Sequence, residues 1–585
     1  MEVTKTNFEE VLPKIKESVD KSTFLTIDCE LTGLSTTNDV NSYDTQKSYY
    51  EKVRKGCKDF LVIQYGICTF RYDEKSKSFK HQAFNFYIFP KAVPKHVPDQ
   101  RFLCQASSID FLITQNFDFN KLFRDGIPYL NEHQEAKYRD SLKEVQKVRA
   151  TQASSNNLNE SRVVSSKEQD KIFIENVTKS IKDFIKSKDE ELVLPKCNGF
   201  LQFLVFQLIK HDFDDKVNVK SRDRDKVLVV TKFKGIQDRL DEEKRTVQEE
   251  ENELDGTIGF SKVIQCITQS GKLVIGHNMC LDLLHTIDKF LIPLPEDYNE
   301  FKDCAHMLFS QVLDTKFMSC MDPFKSLITS NVLGHLLETV SKDPFETPRI
   351  NVESEGYSLE DKREHEAGYD AFITGVAFLA MWRHLGSIEN FDYDQNFGNF
   401  RLLTPYINKL FLMRLQDTPY IHLGGDDPIP PRDHVFYLTF PKEWKQNDIV
   451  QLFSPFGSVH ISWINDRSAY VGLAKRNQAA IVLNTLSQSD TYRIMTYDSR
   501  QIQLGAASLN KETLTRSKWP EGHATKRRKI SERHESDRNQ NSDMDSPGKG
   551  DAFVDSLITS EPVPIVKPSR KRTISKTFAE DNSWE

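Results

Sequence analysis

The sequence predicts an α/β protein built in parts: an α/β domain interrupted by a small inserted unit, an α+β module after it, and a polar tail. Three observations carry that reading. Short runs rich in β-branched and aromatic residues alternate with helical spacing over residues 1–130, the chain turns polar from about Asn131, and compact α/β patterning returns over 258–415, which gives domain halves of 1–165 and 255–420. A separately patterned stretch, 170–240, lies between a Ser/Asn-rich break, Ala153-Ser154-Ser155-Asn156-Asn157, and an acidic run from Asp241 to Leu254. Residues 433–505 then give strand, helix, strand, strand, helix, strand, the order of a ferredoxin-like domain. A chain of 585 residues has room for about three or four domains.

Taken in order, Phe24-Leu25-Thr26-Ile27, the run from Phe60 to Ile67 and the run from Phe84 to Phe89 are predicted strands, because β-branched and aromatic side chains fit a pleated, buried surface. In the inserted unit, Ile174 to Ile185 has helical spacing, Phe200 to Ile209 is an apolar helix or a buried strand, and Val227 to Val230 is extended. The acidic run, with Glu249-Glu250-Glu251, reads as a solvated helix face or linker that closes the insertion. Gly424-Gly425-Asp426-Asp427-Pro428, followed by Pro430-Pro431, marks a stiffened connection. The last module is predicted with strands at Val435–Phe440, Val459–Trp463 and Ala469–Leu473 and helices at Asp448–Phe453 and Asn477–Thr485. Residues 510–585 are polar, charged and poor in aromatics, so a disordered tail is expected.

Composition narrows the function classes. With 79 Lys and Arg against 86 Asp and Glu the chain is not a uniformly basic coat for a polyanion, so contact with one must come from local basic surface or bound metal. Nine Cys form no Cys-x2-Cys pair, which argues against zinc ribbons and a disulfide framework and makes a reducing compartment the default. Met1 to Asp20 lacks the apolar core of a signal peptide. The most apolar short run, Phe200 to Ile209, is about half the length a membrane span needs and includes Gln202 and Gln207, so no membrane association is expected.

The strongest chemical signal is Asp28-Cys29-Glu30 at the end of the first predicted strand. Side chains repeat every second residue there, which puts both carboxylates on one face. Acid-x-acid pairs recur by chance in a chain with 86 acidic residues, but this pair follows a buried strand and precedes the turn Leu31-Thr32-Gly33-Leu34, a place where active sites lie. A second segment, Leu273-Val274-Ile275-Gly276-His277-Asn278, is strand then turn, with Asp282 in the first turn of the following helix. Asp282 also fits a plain first-turn acid favoured by the helix dipole. A third puts His365 five residues before Asp370, which enters an apolar helix running through Leu379.

In this order, Asp-x-Glu, Gly-His-Asn-x3-Asp and His-x4-Asp resemble the DEDD family of 3′ exonucleases, in the subclass with His before the last Asp. The resemblance implies a ribonuclease H-like nuclease domain. It also implies Asp28, Glu30, Asp282 and Asp370 as ligands of two Mg²⁺ ions, with Mn²⁺ as the alternative, and His365 as the base that takes a proton from the attacking water. Phe102-Leu103-Cys104-Gln105-Ala106-Ser107-Ser108-Ile109-Asp110-Phe111, Gly126-Ile127-Pro128-Tyr129 and the residues around His365 are similar to the poly(A)-degrading branch of that family over about residues 1–505. For that branch one expects shortening of polyadenylated RNA from the 3′ end with release of 5′-AMP, stimulation by the 5′ cap, and a homodimer. The inserted unit takes the place of an Arg/His-type single-strand nucleic-acid domain, with Gln202 where its Arg is expected. The resemblance further offers Leu34, Asn278 and Lys316 as substrate contacts; Leu34 as core and Lys316 as a surface cation are the plainer readings.

Val435-Phe436-Tyr437-Leu438-Thr439-Phe440 resembles a strand motif of RNA-recognition modules, with Phe436 in the aromatic slot. The companion motif at Asp466 to Leu473 keeps only Tyr470 and Val471. Trp463 matches a cap-stacking Trp by resemblance: 7-methylguanine is flat and cationic, so an exposed indole gains stacking and cation–π attraction, whereas without the resemblance Trp463 reads as core. In the tail, Lys526-Arg527-Arg528-Lys529 and Arg570-Lys571-Arg572 are readable as nuclear-import signals or RNA contacts, which gives an expectation of nucleus and cytoplasm. Two rivals stand beside the deadenylase: a cap- or RNA-binding adaptor on an inactive nuclease fold, and an exonuclease that matures adenylated noncoding RNA.

Overall fold

A computed structural model describes residues 1–505 except 35–39, 93–98, 155–166, 214–215, 223–226, 234–235 and 390–399. The expected tail with both basic clusters, and Ser155-Asn156-Asn157 of the Ser/Asn-rich break, lie outside the described residues.

Along the chain run β1 (Glu2–Val3), β2 (Phe24–Leu31), β3 (Val62–Asp73) and β4 (Ser78–Tyr87); β5 (Glu191–Val193), β6 (Val217–Arg222) and β7 (Val227–Lys232) in the insert; then β8 (Leu273–Gly276), β9 (Val312–Asp314), β10 (Ile350–Val352), β11 (Lys409–Phe411) and β12 (Tyr420–His422). A seven-stranded sheet has the order β1-β4-β3-β2-β8-β9, with β10 also on β4. β2, β3 and β4 are antiparallel neighbours, whereas β8 lies parallel to β2 and β9 parallel to β8. One face buries a core around Leu25, Ile27, Tyr65, Phe86 and Phe260; the other buries Phe24, Phe70, Phe79 and the helix Ala367–Ile388. The alternation along β2 that sends Leu25 and Ile27 to one side sends Phe24 to the other.

Ala367–Ile388 is long and apolar enough to cross a membrane, and among the described residues it is the one helix of that kind. It is a core helix, with 78% of its apolar window buried. It approaches the sheet closely because the facing strand offers no side chain: a Cβ on Gly66 would stand 1.9 Å from the Ala367 carbonyl oxygen. Thr26 of β2 adds a hydrogen bond from its hydroxyl to the Ala371 carbonyl at 2.6 Å.

In the insert, the sheet β5-β7-β6 packs on helices Glu168–Lys186 and Gly199–Asp212 around Val177, Ile181, Phe184, Val205, Leu208 and Val230. The apolar run from Phe200 to Ile209 is thus helical. The acidic run is also helical, inside Ile236–Ile258, and it is not merely solvated: this helix pairs with Glu132–Ser154 through Tyr138, Leu142, Leu254 and Ile258, with Arg149 2.6 Å from Glu250. The two helices form a stalk whose base is closed by a bridge between Tyr129 and Gly259.

The last module has β13 (Val435–Thr439), β14 (Val459–Asn465), β15 (Ser468–Leu473) and β16 (Arg493–Thr496), in the sheet order β14-β15-β13-β16. Helices Gln446–Phe453 and Ala479–Leu486 cover one face. Phe436 is 1% exposed and packs toward them, with its ring 6.5 Å from that of Phe453, so the expectation of Phe436 in an open aromatic slot is overturned: on β13 the neighbouring parity, Val435 and Tyr437, takes the other face. That second face is occupied from within the chain. Tyr43, from the segment after β2, packs against Val435, Tyr437, Tyr470 and Tyr497. A Cβ on Gly472 would lie 1.9 Å from the Tyr43 hydroxyl. Arg432 ties the junction, donating to Asp417 at 2.9 and 2.6 Å, to the Tyr43 carbonyl at 2.6 Å and to the Asp44 carbonyl at 3.1 Å.

Candidate active site

Three elements converge at the carboxyl ends of β2 and β8. β2 presents Asp28 and Glu30 on one face, two residues apart. After β8 the chain turns at His277-Asn278 into the short helix Cys280–Thr286, which carries Asp282. Helix Ala367–Ile388 brings Asp370 in its first turn. Its first backbone N–H groups have no partner within the helix and are taken by buried side-chain amides: Gln64 accepts from Ala367 at 2.9 Å and Asn85 accepts from Gly368 at 3.0 Å. Those contacts, with the bare backbone of Gly66, set the helix start over β2 and β3 and hence Asp370 beside Asp28.

All four acids line one cleft with His365, Leu34, Asn278, Phe111 and Met413. Ligand-capable atoms of Glu30, His365 and Asp370 lie within 4.8 Å of one another. His365 has φ +68°, a left-handed backbone, and its N–H donates to Asp370 Oδ2 at 3.0 Å. Its ring meets the Phe111 ring edge-on with centroids 4.8 Å apart. The structure therefore brings together Asp28, Glu30, Asp282, His365 and Asp370, with Leu34 and Asn278 on the same wall. Lys316 is the exception among the candidate substrate contacts, and it is no surface cation either. It is 5% exposed, is not a cleft-lining residue, and holds its ammonium 5.6 Å from the centre of the Phe411 ring.

The acids raise one another. Burial, then the neighbouring Asp370 and Asp282, pushes Glu30 well above the usual carboxylate range; burial, then Asp370, Asp282 and Glu30, does the same to Asp28. Burial also pushes Asp282 up, to about 7, although hydrogen bonds from Cys29 pull the other way. Such a cluster is unfavourable until cations join it. The donor set among the described residues is carboxylate oxygen with the His365 imidazole beside it and no thiolate, the chemistry of hard divalent ions rather than of soft thiolate-bound metals, and the residues fit a divalent metal dependence.

His277 has a different part. Its ring is held from both sides, Nδ1 by the Thr315 hydroxyl and Nε2 by the Asn331 carbonyl, each at 2.9 Å, and burial holds its pKa at about 3, so it is a neutral strut. Reasoning from sequence did not single out Gln64, Asn85, Gly66 or Met413; each acts across a large sequence separation, and no local pattern marks it. Phe111 lay inside a segment noted for resemblance, without a role. In the last module, Trp463 stands on the edge strand β14, 40% exposed, with its ring edge-on to Phe440 at 5.4 Å, so the reading of Trp463 as core does not hold.

Comparison with known proteins agrees with this architecture. The pattern of the CAF1 family ribonuclease matches residues 3–378, and that described as an RNA binding domain matches residues 425–503. Poly(A)-specific ribonuclease PARN of Xenopus laevis is 40% identical over 534 residues, covering 89% of this chain and 84% of the relative. The Danio rerio protein of that name is 41% identical over 529 residues, covering 89% and 79%. The Homo sapiens protein is 39% identical over 535 residues, covering 89% and 83%.

Proposed function

The chain belongs to the CAF1 family of ribonucleases, and from that premise we infer that it is a metal-dependent, poly(A)-specific 3′ exoribonuclease, a deadenylase that releases 5′-AMP. The observation that carries this reading is the convergence of Asp28, Glu30, Asp282 and Asp370 with His365 in one cleft.

Asp28, Glu30, Asp282 and Asp370 would hold two divalent ions, Mg²⁺ or Mn²⁺, directly or through water. Bound there, such ions supply positive charge against the attacking and leaving oxygens of an in-line displacement at phosphorus. His365 takes the proton of the attacking water, and the Phe111 edge and the Asp370 contact fix its ring and backbone for that task. Leu34 and Asn278 seat the terminal nucleotide. Preference for adenine then rests on stacking and shape, because single-stranded bases are read by their faces and edges.

Three further readings attach to the same enzyme. Trp463, exposed on an edge strand, is the platform for the 5′ cap; N7-methylated cap analogue is expected to quench its fluorescence, and Trp463→Ala to abolish the quenching while uncapped oligo(A) is still shortened. Ile113 and Phe123, both more than half exposed beside the half-buried Phe89, Phe102 and Phe119, offer the apolar surface of a homodimer; Phe123→Asp is expected to give monomers in sedimentation. The basic clusters of the tail support residence in both nucleus and cytoplasm, and their replacement by Ala is expected to shift a fluorescent fusion out of the nucleus.

The central test digests a 5′-labelled RNA ending in oligo(A), beside an oligo(U)-ended control, with Mg²⁺ and with chelator. Metal-dependent, A-preferring shortening with release of 5′-AMP is expected. Intact RNA in every lane from folded protein overturns the enzyme in favour of a binding adaptor.

A further inference from the structure

Behind the turn that leads from β8 to Asp282 lies an acid that the mechanism does not use. Asp314 ends β9, in register with Gly276 at the end of β8, and is 0% exposed. Its Oδ1 accepts from the backbone N–H of Asn278 at 2.9 Å and of Lys316 at 3.0 Å; its Oδ2 accepts from Met279 at 3.2 Å and from Phe411 at 3.0 Å. Capping the helix Thr315–Ser319 accounts only for the Lys316 contact, which a Ser or Asn would make as well. The other three amides come from two separate segments: the turn before the Asp282 helix, and β11, two residues before Met413 of the cleft wall. Only a carboxylate, with two oxygens and about four acceptor directions, serves all of them at once.

The turn it grips is a demanding one. Asn278 has φ +58°, and a Cβ on Gly276 would lie 2.4 Å from that of Met279, so the chain reverses with no slack. Thr315 grips the same turn from beside Asp314: its one hydroxyl hydrogen stands between Nδ1 of the neutral His277, at 2.9 Å, and the Gly276 carbonyl, at 3.1 Å. Asn278 in turn reaches Met413, its Nδ2 standing 2.9 Å from Sδ. The turn, the cleft wall and the start of the Asp282 helix are therefore referred to one buried carboxylate.

We propose that Asp314 is the positioning residue of the cleft: through the Asn278-Met279 turn it fixes Asp282 relative to Asp28, Glu30 and Asp370, and through Phe411 it fixes the wall at Met413. The inference rests on the nuclease reading above. Asp314→Asn keeps the shape but turns an N–H toward two N–H donors, whichever way the amide is set, and so loses one amide of the turn in either setting, Asn278 with Lys316 or Met279 with Phe411.

The test uses the full chain, with Asp314→Asn, Thr315→Val and, as a control, Val19→Ala, a buried site on helix Phe8–Lys21 outside the cleft lining. Three quantities are read: Tm, kcat and KM on oligo(A), and Mn²⁺ affinity by electron paramagnetic resonance without RNA. Asp314→Asn is expected to lower kcat by about 10²-fold, the scale of a 1 Å misplacement, with KM within about threefold. Its Mn²⁺ affinity should fall by about tenfold or more, the scale seen when a partner behind metal ligands is lost. Thr315→Val should lower kcat by about tenfold, and Val19→Ala should lower Tm while leaving kcat and Mn²⁺ affinity in place. The proposal is overturned if Asp314→Asn behaves as Val19→Ala does. Should Asp314→Asn not fold, Thr315→Val decides, and wild-type kcat and Mn²⁺ affinity in that variant overturn the proposal. A wild-type protein that binds Mn²⁺ but leaves oligo(A) intact defeats the nuclease reading instead, and the Mn²⁺ arm still judges the positioning.

Discussion

In the cleft, Asp28, Glu30 and Asp282 share a buried space with Asp370, and among the described residues no Lys or Arg forms a salt bridge to the first three. At the junction with the last module, Arg432 is 7% exposed, more enclosed than the half-buried Asp28, Glu30 and Asp282, yet each of its nitrogens is placed: a two-pronged bond to Asp417, two backbone carbonyls and the Tyr497 hydroxyl. One charge cluster is left strained by like charge; the other is satisfied. The difference separates chemistry from architecture, because a protein tolerates mutual repulsion only where a ligand is meant to relieve it. Asp314 stands between the two kinds: backbone amides hold both its oxygens, yet burial raises it and its charge in turn helps to raise Asp282.

The comparison can be broken in four places, largest effect first. Asp28→Asn should lower turnover on oligo(A) by at least about 10³-fold and yet raise the metal-free Tm by a few degrees, since it removes a repelling charge; a fall in the metal-free Tm would show that Asp28 is stabilising. Arg432→Met should cost roughly 3–5 kcal/mol, because it leaves Asp417 buried and alone. Limited proteolysis should then cut near the Gly424–Pro431 connection while oligo(A) shortening continues, and loss of shortening with an intact cleft would merge the two clusters into one functional unit.

The third lies in pH. Asp282 stands at about 7 in the folded protein against an ordinary 3.8, so the native state holds its proton longer than the unfolded chain does. Stability in chelator is therefore fully present below about pH 4 and is lost as pH rises through about 7, with the raised Asp28 and Glu30 acting in the same direction. Thermal melts should show that decline in chelator and a flatter profile with Mg²⁺; a metal-free Tm that rises over this range would contradict it. Smallest, Gly472→Ala drives a methyl into the Tyr43 hydroxyl and should cost about 1–3 kcal/mol of junction stability, read as earlier proteolysis without change in kcat.

The site was legible in the sequence through the resemblance to the DEDD exonucleases, which short motifs on regular elements carry: Asp28 and Glu30 share a strand face, while Asp282 and Asp370 sit in helical first turns, where alone they read as ordinary acids. What holds them was not. Gln64 and Asn85 reach the helix carrying Asp370 from about 300 and 280 positions away along the chain, and Asp314 reads as an ordinary helix cap until its other three amides are seen. Phe436 was misassigned because a motif gives the residue types of a strand without saying which face turns inward. The reading of Lys316 as a surface cation failed because a cation in sequence carries no sign of its own burial. In the last module the short strands and helices were plain from periodicity, but the occupation of its sheet face by Tyr43 depends on the meeting of two domains, which no local pattern encodes.

The bridge between Tyr129 and Gly259 has a consequence for how such a chain can be rebuilt. Phe260 donates to the Pro128 carbonyl at 2.9 Å, and Gly259, at φ +46°, leaves no room for a side chain against that same oxygen. The chain thus leaves and re-enters the catalytic body side by side, with Asn131, Glu253 and Asp255 at the base of the stalk also contacting that body. Everything between is a cassette: a gene could acquire it, lose it or trade it for another by one splice at residues 130–258, without any strand of the seven-stranded sheet changing its neighbour.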